Sequence, residues 1–314
     1  MQPLVLIVGP TAVGKSALGV ELAQALDGEI ISGDSVQVYR GLDIGSAKTL
    51  PPEQKGIPHH LIDRLELDEQ YSAAQFQKEA RRLITEIRAR GKIPIVVGGT
   101  GLYIRSLLDP YTFLNSSSPP TRKTWETYLS QFGKEKLHAA LAARDPASAE
   151  RLHPNDVVRI IRALEIYELT GLKLSQLRKF PDDEYSPLPD SVVYVGLTGR
   201  RDRLYARINV RCEQMLKQGL VEETLRVLRK GYSYSLKPLK SIGYRHAVWY
   251  LRGLVTQSEM LRLMQRDTRH FAKRQLTWFN RDPRITWYNV DQDDQKAIVE
   301  AIIQTCRVVD SRVK

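Results

Sequence analysis

Gly9-Pro10-Thr11-Ala12-Val13-Gly14-Lys15-Ser16 fills every fixed position of the phosphate-loop pattern and follows directly on the apolar run Leu4 to Val8. A strand that passes through a glycine turn into the amphipathic run Ala17 to Leu26 has few ways to fold. The turn must point its backbone N–H groups at an anion, and the helix behind it must present its positive dipole end to the same place. In that arrangement Lys15 reaches the terminal phosphate as a point charge, and the Ser16 hydroxyl ligates Mg²⁺. The segment therefore points to a bound diphosphate or triphosphate.

The next hundred residues keep the same alternation. Glu29 to Ser32 reads as a strand, Tyr71 to Arg90 as a helix opened by Ser72, and Ile93 to Val97 as another strand. Strands alternating with helices give a parallel sheet with covering helices, in which ligands gather at the carboxyl ends of the strands. Three glycine-rich junctions fall at such ends: the phosphate loop, Ser32-Gly33-Asp34-Ser35, and Gly98-Gly99-Thr100-Gly101. The segment Asn115 to Pro120 breaks the pattern and reads as a domain boundary or hinge. Helical stretches follow at Arg122 to Phe132, Lys134 to Ala143, and Asp156 to Leu169, the last ended by Gly171. After the Pro- and Asp-rich loop Phe180 to Asp190, the run Val192 to Leu197 returns to strand character, so the helical segment is expected to be an insertion. Arg203 to Gln218, Val221 to Lys230 and Ser258 to Phe279 complete the chain as helices.

At 314 residues the chain has room for one large α/β domain and an accessory domain. Its net charge of +11 is uneven: residues 196–289 hold 20 Lys and Arg against 7 Asp and Glu, which leaves the remainder at about −2. That asymmetry suits a polyanion bound by the C-terminal part, although a well-solvated helical surface has the same composition. Only Cys212 and Cys306 are present, too few and too far apart for a disulfide framework or a metal-ligand spacing, so a reducing, cytoplasmic setting is expected. The N-terminal apolar run reads as a first strand rather than a targeting segment. The longest uncharged apolar stretch, Ile93 to Ile104, is too short and too rich in glycine to cross a membrane.

Several residues are candidates for chemistry, each with a plainer alternative. Asp34 follows a strand and should face the same crevice as Lys15, which makes it a general-base candidate; it could equally be a turn or capping carboxylate. Gln37, Tyr39 and Arg40 add polar and stacking groups beside it, whereas Asp43 reads as structural. Thr100 either positions a substrate or orients Asp34, or caps the helix that follows. The histidines of Pro58-His59-His60-Leu61-Ile62-Asp63 suggest a metal cluster, but adjacent side chains on extended backbone diverge, and a structural or substrate-lining loop fits better. Arg207 and Arg211, four apart on a helix, share a face and form either a phosphate clamp or a solvated basic surface. Arg269, Lys273 and Arg274 beside Trp278 and Phe279 mix cations and aromatics as RNA binders do, and as basic surfaces over a core also do.

These residues together resemble the bacterial tRNA dimethylallyltransferase family. The resemblance rests on residues 9–16, on Gly33-Asp34-Ser35-Val36-Gln37-Val38-Tyr39-Arg40-Gly41-Leu42-Asp43-Ile44-Gly45, on Pro58 to Asp63, and on Val97-Gly98-Gly99-Thr100-Gly101-Leu102-Tyr103. It continues through Asn155-Asp156 with Arg159 to Tyr167, Ser241-Ile242-Gly243-Tyr244-Arg245, and Ala272-Lys273-Arg274-Gln275-Leu276-Thr277-Trp278-Phe279. Ser16 and Ser46 stand where many members have Thr, and Ser16 keeps the hydroxyl. The resemblance implies an α/β, P-loop NTPase-like parallel sheet covered by helices. It further implies a catalytic core of residues 1–110 and 191–314 with an inserted all-helical domain at 111–190 that grips the anticodon stem-loop of tRNA. Gly9, Pro10, Thr11, Ala12, Val13, Gly14, Lys15 and Ser16, with Arg207 and Arg211, would hold dimethylallyl diphosphate and Mg²⁺ rather than a nucleotide. Asp34, Thr100 and Lys15 would be catalytic. Contacts to tRNA would come from Asp34, Ser35, Val36, Gln37, Thr100, Arg122, the segment Val158-Arg159-Ile160-Ile161-Arg162, and the segment Lys240-Ser241-Ile242-Gly243-Tyr244-Arg245. The family implies transfer of the dimethylallyl group to N6 of the adenosine 3′-adjacent to the anticodon; a monomer is expected, although the sequence itself does not encode the oligomeric state.

Two other classes share part of the pattern. A phosphate-loop kinase or nucleotide hydrolase would use the same Lys15 and Ser16, but the chain lacks an Asn-Lys-x-Asp guanine signature, and Ile93 to Val97 ends in Gly-Gly-Thr. An RNA-binding adaptor with a ligand-sensing loop would leave Asp34 beside that loop without a purpose.

Overall fold

Leu4 to Val8 is apolar at every position instead of alternating, the mark of a strand covered on both faces. In the computed structural model, which describes residues 2–109, 113, 118–177 and 191–313, this run is the central strand of a six-stranded sheet. The strands are β1 (Leu4–Val8), β2 (Gly28–Ser32), β3 (His59–His60), β4 (Ile93–Val97), β5 (Val192–Thr198) and β6 (Thr286–Asn289), in the order β3-β2-β4-β1-β5-β6. Each described pairing is parallel: Val5 lies opposite Ile95 of β4 and Val193 of β5, and Ile30 opposite His59.

The helices are, in chain order, α1 (Lys15–Ala25), α2 (Pro51–Gln54), α3 (Ala73–Ala89), α4 (Gly101–Leu108), α5 (Pro119–Arg144), α6 (Pro146–Arg151), α7 (Val157–Thr170) and α8 (Leu174–Leu177). They continue with α9 (Arg201–Lys217), α10 (Leu220–Arg229), α11 (Tyr244–Leu251), α12 (Gln257–Phe279) and α13 (Gln295–Val313). The helix opened by Ser72 forms for the expected reason. The Ser72 hydroxyl accepts the Gln75 N–H, Gln75 Oε1 accepts the Ser72 N–H, and Phe76, Ala80, Leu83, Ile84 and Ile87 then bury one face.

The chain divides into two compact units, Met1–Leu108 with Ser186–Lys314, and Asp109–Tyr185. The first contains the sheet and its large apolar core, anchored by Phe76, Tyr244 and Phe279. The second is helical, with its own core of Trp125, Leu137, Leu141, Ile160, Ile161 and Leu164. There Asp145, itself buried, accepts from the backbone and hydroxyl of both Ser148 and Ser175 and so ties α6 to the start of α8. The two helices expected either side of Phe132 form one element bent at Gly133, whose φ of 79° is outside the helical range. The Phe180 to Asp190 loop and the first half of the expected 115–120 break lie outside the described residues.

His59-His60 is not a loop. It pairs with β2 as an edge strand, and His60 Nε2 lies 2.7 Å from Glu29 Oε2, whose carboxylate Arg90 also grips at 2.7 Å. Among the described residues no cluster of three His, Cys, Asp or Glu side chains could hold a metal. No helix of the described residues is long and apolar enough to span a membrane.

At the carboxyl edge the strands end in backbone packed on backbone. A Cβ at Gly98 would stand 2.4 Å from the Gly33 carbonyl oxygen, which cannot rotate away. Gly98→Ala is therefore expected to cost about 1–3 kcal/mol, read as a lower urea midpoint with an unchanged denaturant slope.

Candidate active site at the carboxyl edge of the sheet

The phosphate loop joins β1 to α1 through three residues of positive φ: Gly9 at 138°, Ala12 at 63° and Gly14 at 102°. Gly9 has a second constraint, since a Cβ there would lie 2.4 Å from the Leu197 carbonyl oxygen of β5. Gly14 caps α1, so Lys15 and Ser16 open that helix with their N–H groups uncommitted to the preceding turn. Lys15 Nζ donates to the Pro10 carbonyl at 2.7 Å. Desolvation, reinforced by the Arg211 guanidinium and opposed by Asp34, pushes the Lys15 ammonium down from 10.5 to about 7.

One cavity of about 980 Å³ collects the expected groups: Thr11, Ala12, Gly14, Lys15 and Ser16 line it together with Asp34, Gln37, Gly98, Gly99, Arg207 and Arg211. Gly9, Pro10 and Val13 lie behind the loop and are buried. Asp34 Oδ1 accepts the Val36 N–H at 2.7 Å and the Gln37 N–H at 3.3 Å, a turn that fixes the carboxylate and leaves Oδ2 for the cavity. The turn function and the cavity position thus coexist. Gln37 is held by Ser32, whose hydroxyl donates to Oε1 at 2.9 Å, and its Nε2 reaches the Ser46 and Ala47 carbonyls. Thr100 sits at the start of α4, its carbonyl accepting from Tyr103 and Ile104; among the described residues no hydrogen bond joins it to Asp34. Tyr39 is not a stacking surface, since it is buried with its hydroxyl on the Glu69 carbonyl, and Arg40 turns outward to Glu66. Asp43 holds the buried Lys48 at 2.6 Å, and Asp63 and the Tyr39 carbonyl complete that ammonium's partners.

The face of α9 toward the cavity carries Arg207, Arg211, Gln214 and Met215, with Gln218 just past the helix end. The two arginines differ in their ties. Arg211 Nη1 lies 3.4 Å from the Thr11 hydroxyl of the phosphate loop, and burial lowers its pKa. Arg207 Nη1 is anchored 3.0 Å from Asp291, a carboxylate buried just beyond β6, while its Nε and Nη2 have no partner among the described residues.

The segment 240–245 is only partly surface. Lys240 is exposed, but Tyr244 is wholly buried, its hydroxyl 2.6 Å from Glu223 and its ring against Gly45. Its side chain is thus an interior pillar rather than an RNA contact. Glu223 also accepts the N–H groups of Asp43, Ile44 and Gly45, and so holds the cavity-lining loop by its backbone. Glu223→Ala, which strands those donors in the interior, is expected to lower stability by at least about 1–3 kcal/mol, with Tyr244→Phe costing about 1 kcal/mol, both measured by thermal melting. Arg245 pairs with Asp267 and lies over Trp249. In the helical unit, Arg122 and Val158 are exposed and Arg159 reaches Asp156, whereas Ile160 and Ile161 belong to the core and are closed to RNA as side chains. Arg162 is paired with Glu165.

A parallel sheet, a glycine loop running into a helix, and a carboxylate facing that loop define a phosphate-loop α/β protein with a second polar site beside its anion cradle. Residues 37–282 match the IPP transferase family, and the chain belongs to that family. It is 61% identical over its full length to a tRNA dimethylallyltransferase of Desulfitobacterium hafniense strain Y51, covering all of both chains. It is 51% identical to a tRNA dimethylallyltransferase of Carboxydothermus hydrogenoformans, with 96% of each covered. A crystal structure of a full-length tRNA isopentenylpyrophosphate transferase from Bacillus halodurans superposes with a TM-score of 0.73 at 40% identity, covering 99% of each chain. A eukaryotic dimethylallyltransferase acting on tRNA gives 0.78 at 30% identity, covering 96% of this chain and 78% of that one.

Proposed function

We propose that this protein transfers a dimethylallyl group from dimethylallyl diphosphate to N6 of the adenosine 3′-adjacent to the anticodon in tRNA, releasing diphosphate. The observation that carries the reading at the level of residues is the single cavity lined by both the phosphate loop and Asp34. The allylic C–O bond of the donor breaks as a C–N bond forms, and the surplus amine proton passes to the Asp34 carboxylate. Charge collects on the departing diphosphate, where Lys15, the loop amides and Arg211 face it, with Arg207 beside them on the same helix face. An unstacked adenine enters more cheaply from a single-stranded loop than from a duplex.

Mg²⁺ fits the residues present: the Ser16 hydroxyl at the head of α1 opens on the cavity beside the loop. That is the donor set of an ion which takes one or two protein oxygens and fills its shell with phosphate oxygens and water. When bound, the ion would neutralise charge developing on the diphosphate. Lys240 and Arg122 remain proposed contacts to RNA phosphates, with the exposed Val158 and Arg159 and the partly exposed Ser241 open to contact beside them.

The test is to incubate the protein with dimethylallyl diphosphate labelled in the prenyl group, Mg²⁺ and unmodified tRNA. Label should appear in RNA, none should transfer from ATP as control donor, and a tRNA with guanosine at the acceptor position should stay unlabelled. Absence of label in RNA would end the proposal.

A further inference from the structure

Gln275 of α12 had no role in the sequence beyond its place in a motif, yet its side chain ties together the two glycine junctions that flank the cavity, beyond the point where β1 and β4 pair. Its Oε1 accepts the Thr11 N–H of the phosphate loop at 2.8 Å, and its Nε2 donates to the Gly99 carbonyl at 2.9 Å. The residue is buried, 6% exposed, and lines the cavity. The orientation of the amide is fixed by its partners, because a backbone N–H can only donate and a carbonyl can only accept. The fit is close enough to dictate the neighbour: a Cβ at Gly99 would stand 2.1 Å from Gln275 Nε2.

Two consequences follow. The Thr11 N–H is committed to Gln275, so the anion cradle is made by the amides after it. The Gly98-Gly99 junction that Gln275 holds is packed through Gly98 against Gly33, the residue before Asp34, whose N–H also bonds the Val97 carbonyl at 2.8 Å. The strands β1, β4 and β2 fix the base of these loops, and the carboxamide holds their tips, the loop that holds the donor against the junction beside Asp34. We propose that Gln275 is a positioning residue for the transfer, fixing the approach of donor to acceptor and acting on turnover rather than on affinity for either substrate. The inference rests on the reading that the loop holds the prenyl diphosphate. It draws its weight from the sensitivity of bimolecular transfer to alignment, where a displacement near 1 Å costs on the order of 10²-fold.

The experiment uses the full chain and Gln275→Met, which keeps the bulk of the side chain and deletes both hydrogen bonds. Turnover is measured at saturating tRNA and donor, dimethylallyl diphosphate affinity by calorimetry, and anticodon stem-loop affinity by fluorescence anisotropy. The expected result is a fall in kcat of about 10-fold to 100-fold, with both dissociation constants close to wild type and a melting temperature lower by a few degrees, because the Thr11 N–H and the Gly99 carbonyl lose their partner. Unchanged kcat would overturn the proposal. So would a loss of diphosphate affinity in parallel with turnover, which belongs to a residue that only shapes the donor site. Gly99→Ala gives a second route, since its methyl group displaces the amide without deleting it, and it should reproduce the same split between kcat and affinity. If Gln275→Met does not fold, this variant decides by the same criteria. Wild-type protein that fails to bind dimethylallyl diphosphate overturns the underlying functional reading; wild-type binding with unaltered turnover in both variants overturns the positioning role alone.

Discussion

Asp34→Asn should retain binding of donor and RNA and lose turnover by about 10² to 10⁴, the usual contribution of a positioned general base. Asparagine is the informative substitution because Oδ1 is already occupied in holding the turn, accepting from Val36 and Gln37. The amide keeps that oxygen and loses only the capacity to take a proton. Single-turnover transfer from labelled dimethylallyl diphosphate, with calorimetric donor binding as the companion measurement, separates the two roles. Turnover within threefold of wild type would return Asp34 to the status of a turn carboxylate. Weakened donor binding together with lower stability would show that the turn itself had failed.

Lys15→Met should act in opposite directions on activity and on stability. Removing a cation aimed at the charge developing on the leaving group is expected to lower turnover by about 10² to 10³. The same substitution should stabilise the unliganded protein near pH 7, because the ammonium carries a desolvation penalty that methionine does not. The sign follows from proton linkage. The unfolded chain holds the Lys15 proton up to about its ordinary 10.5, whereas the folded protein releases it at about 7. Between those values the unfolded state binds more protons, so raising the pH stabilises the fold through this group, by at most about 1.4 kcal/mol per pH unit. Urea titrations of wild type and Lys15→Met at pH 7, 8 and 9 isolate that contribution as a difference. The gap in favour of the variant should narrow as pH rises, and a constant gap would refute the assignment. Donor binding above pH 8 should also take up a proton, visible in buffers of different ionisation enthalpy.

What the sequence made legible and what it hid divide along one physical line. The phosphate loop, the Ser72 cap, the strands β1, β2, β4 and β5 and the stop at Gly171 are encoded within a few residues, and local chemistry is enough to place them. β3 and β6 are two and four residues long and lie at the sheet's edges, so their few side chains carry no readable periodicity. The partners that organise the site were beyond reach for another reason. Gln275 meets Thr11 across 264 positions, Glu223 meets Ile44 across 179, and Arg207 meets Asp291 across 84. No spacing rule connects such pairs before the fold exists. A helical stripe from Arg207 through Arg211, Gln214 and Met215 to Gln218 was a usable signal for the cavity wall, although only its arginines stood out. Resemblance to relatives named segments but not their division into inner and outer side chains, as the buried Tyr244, Ile160 and Ile161 illustrate.

β1, in the middle of the sheet, is translated before both of its neighbours. β1 needs β4 on one side and β5 on the other, and the second of these is translated almost two hundred residues later. At about 5–20 residues per second, on the order of ten to forty seconds pass with one apolar edge of that strand unsatisfied. Nascent chains of intermediate length are thus the state most exposed to self-association and most in need of chaperones. A recombinant protein that precipitates during synthesis should be recovered by raised chaperone levels, and slowing elongation within codons 110 to 190 should deepen the loss by prolonging that state.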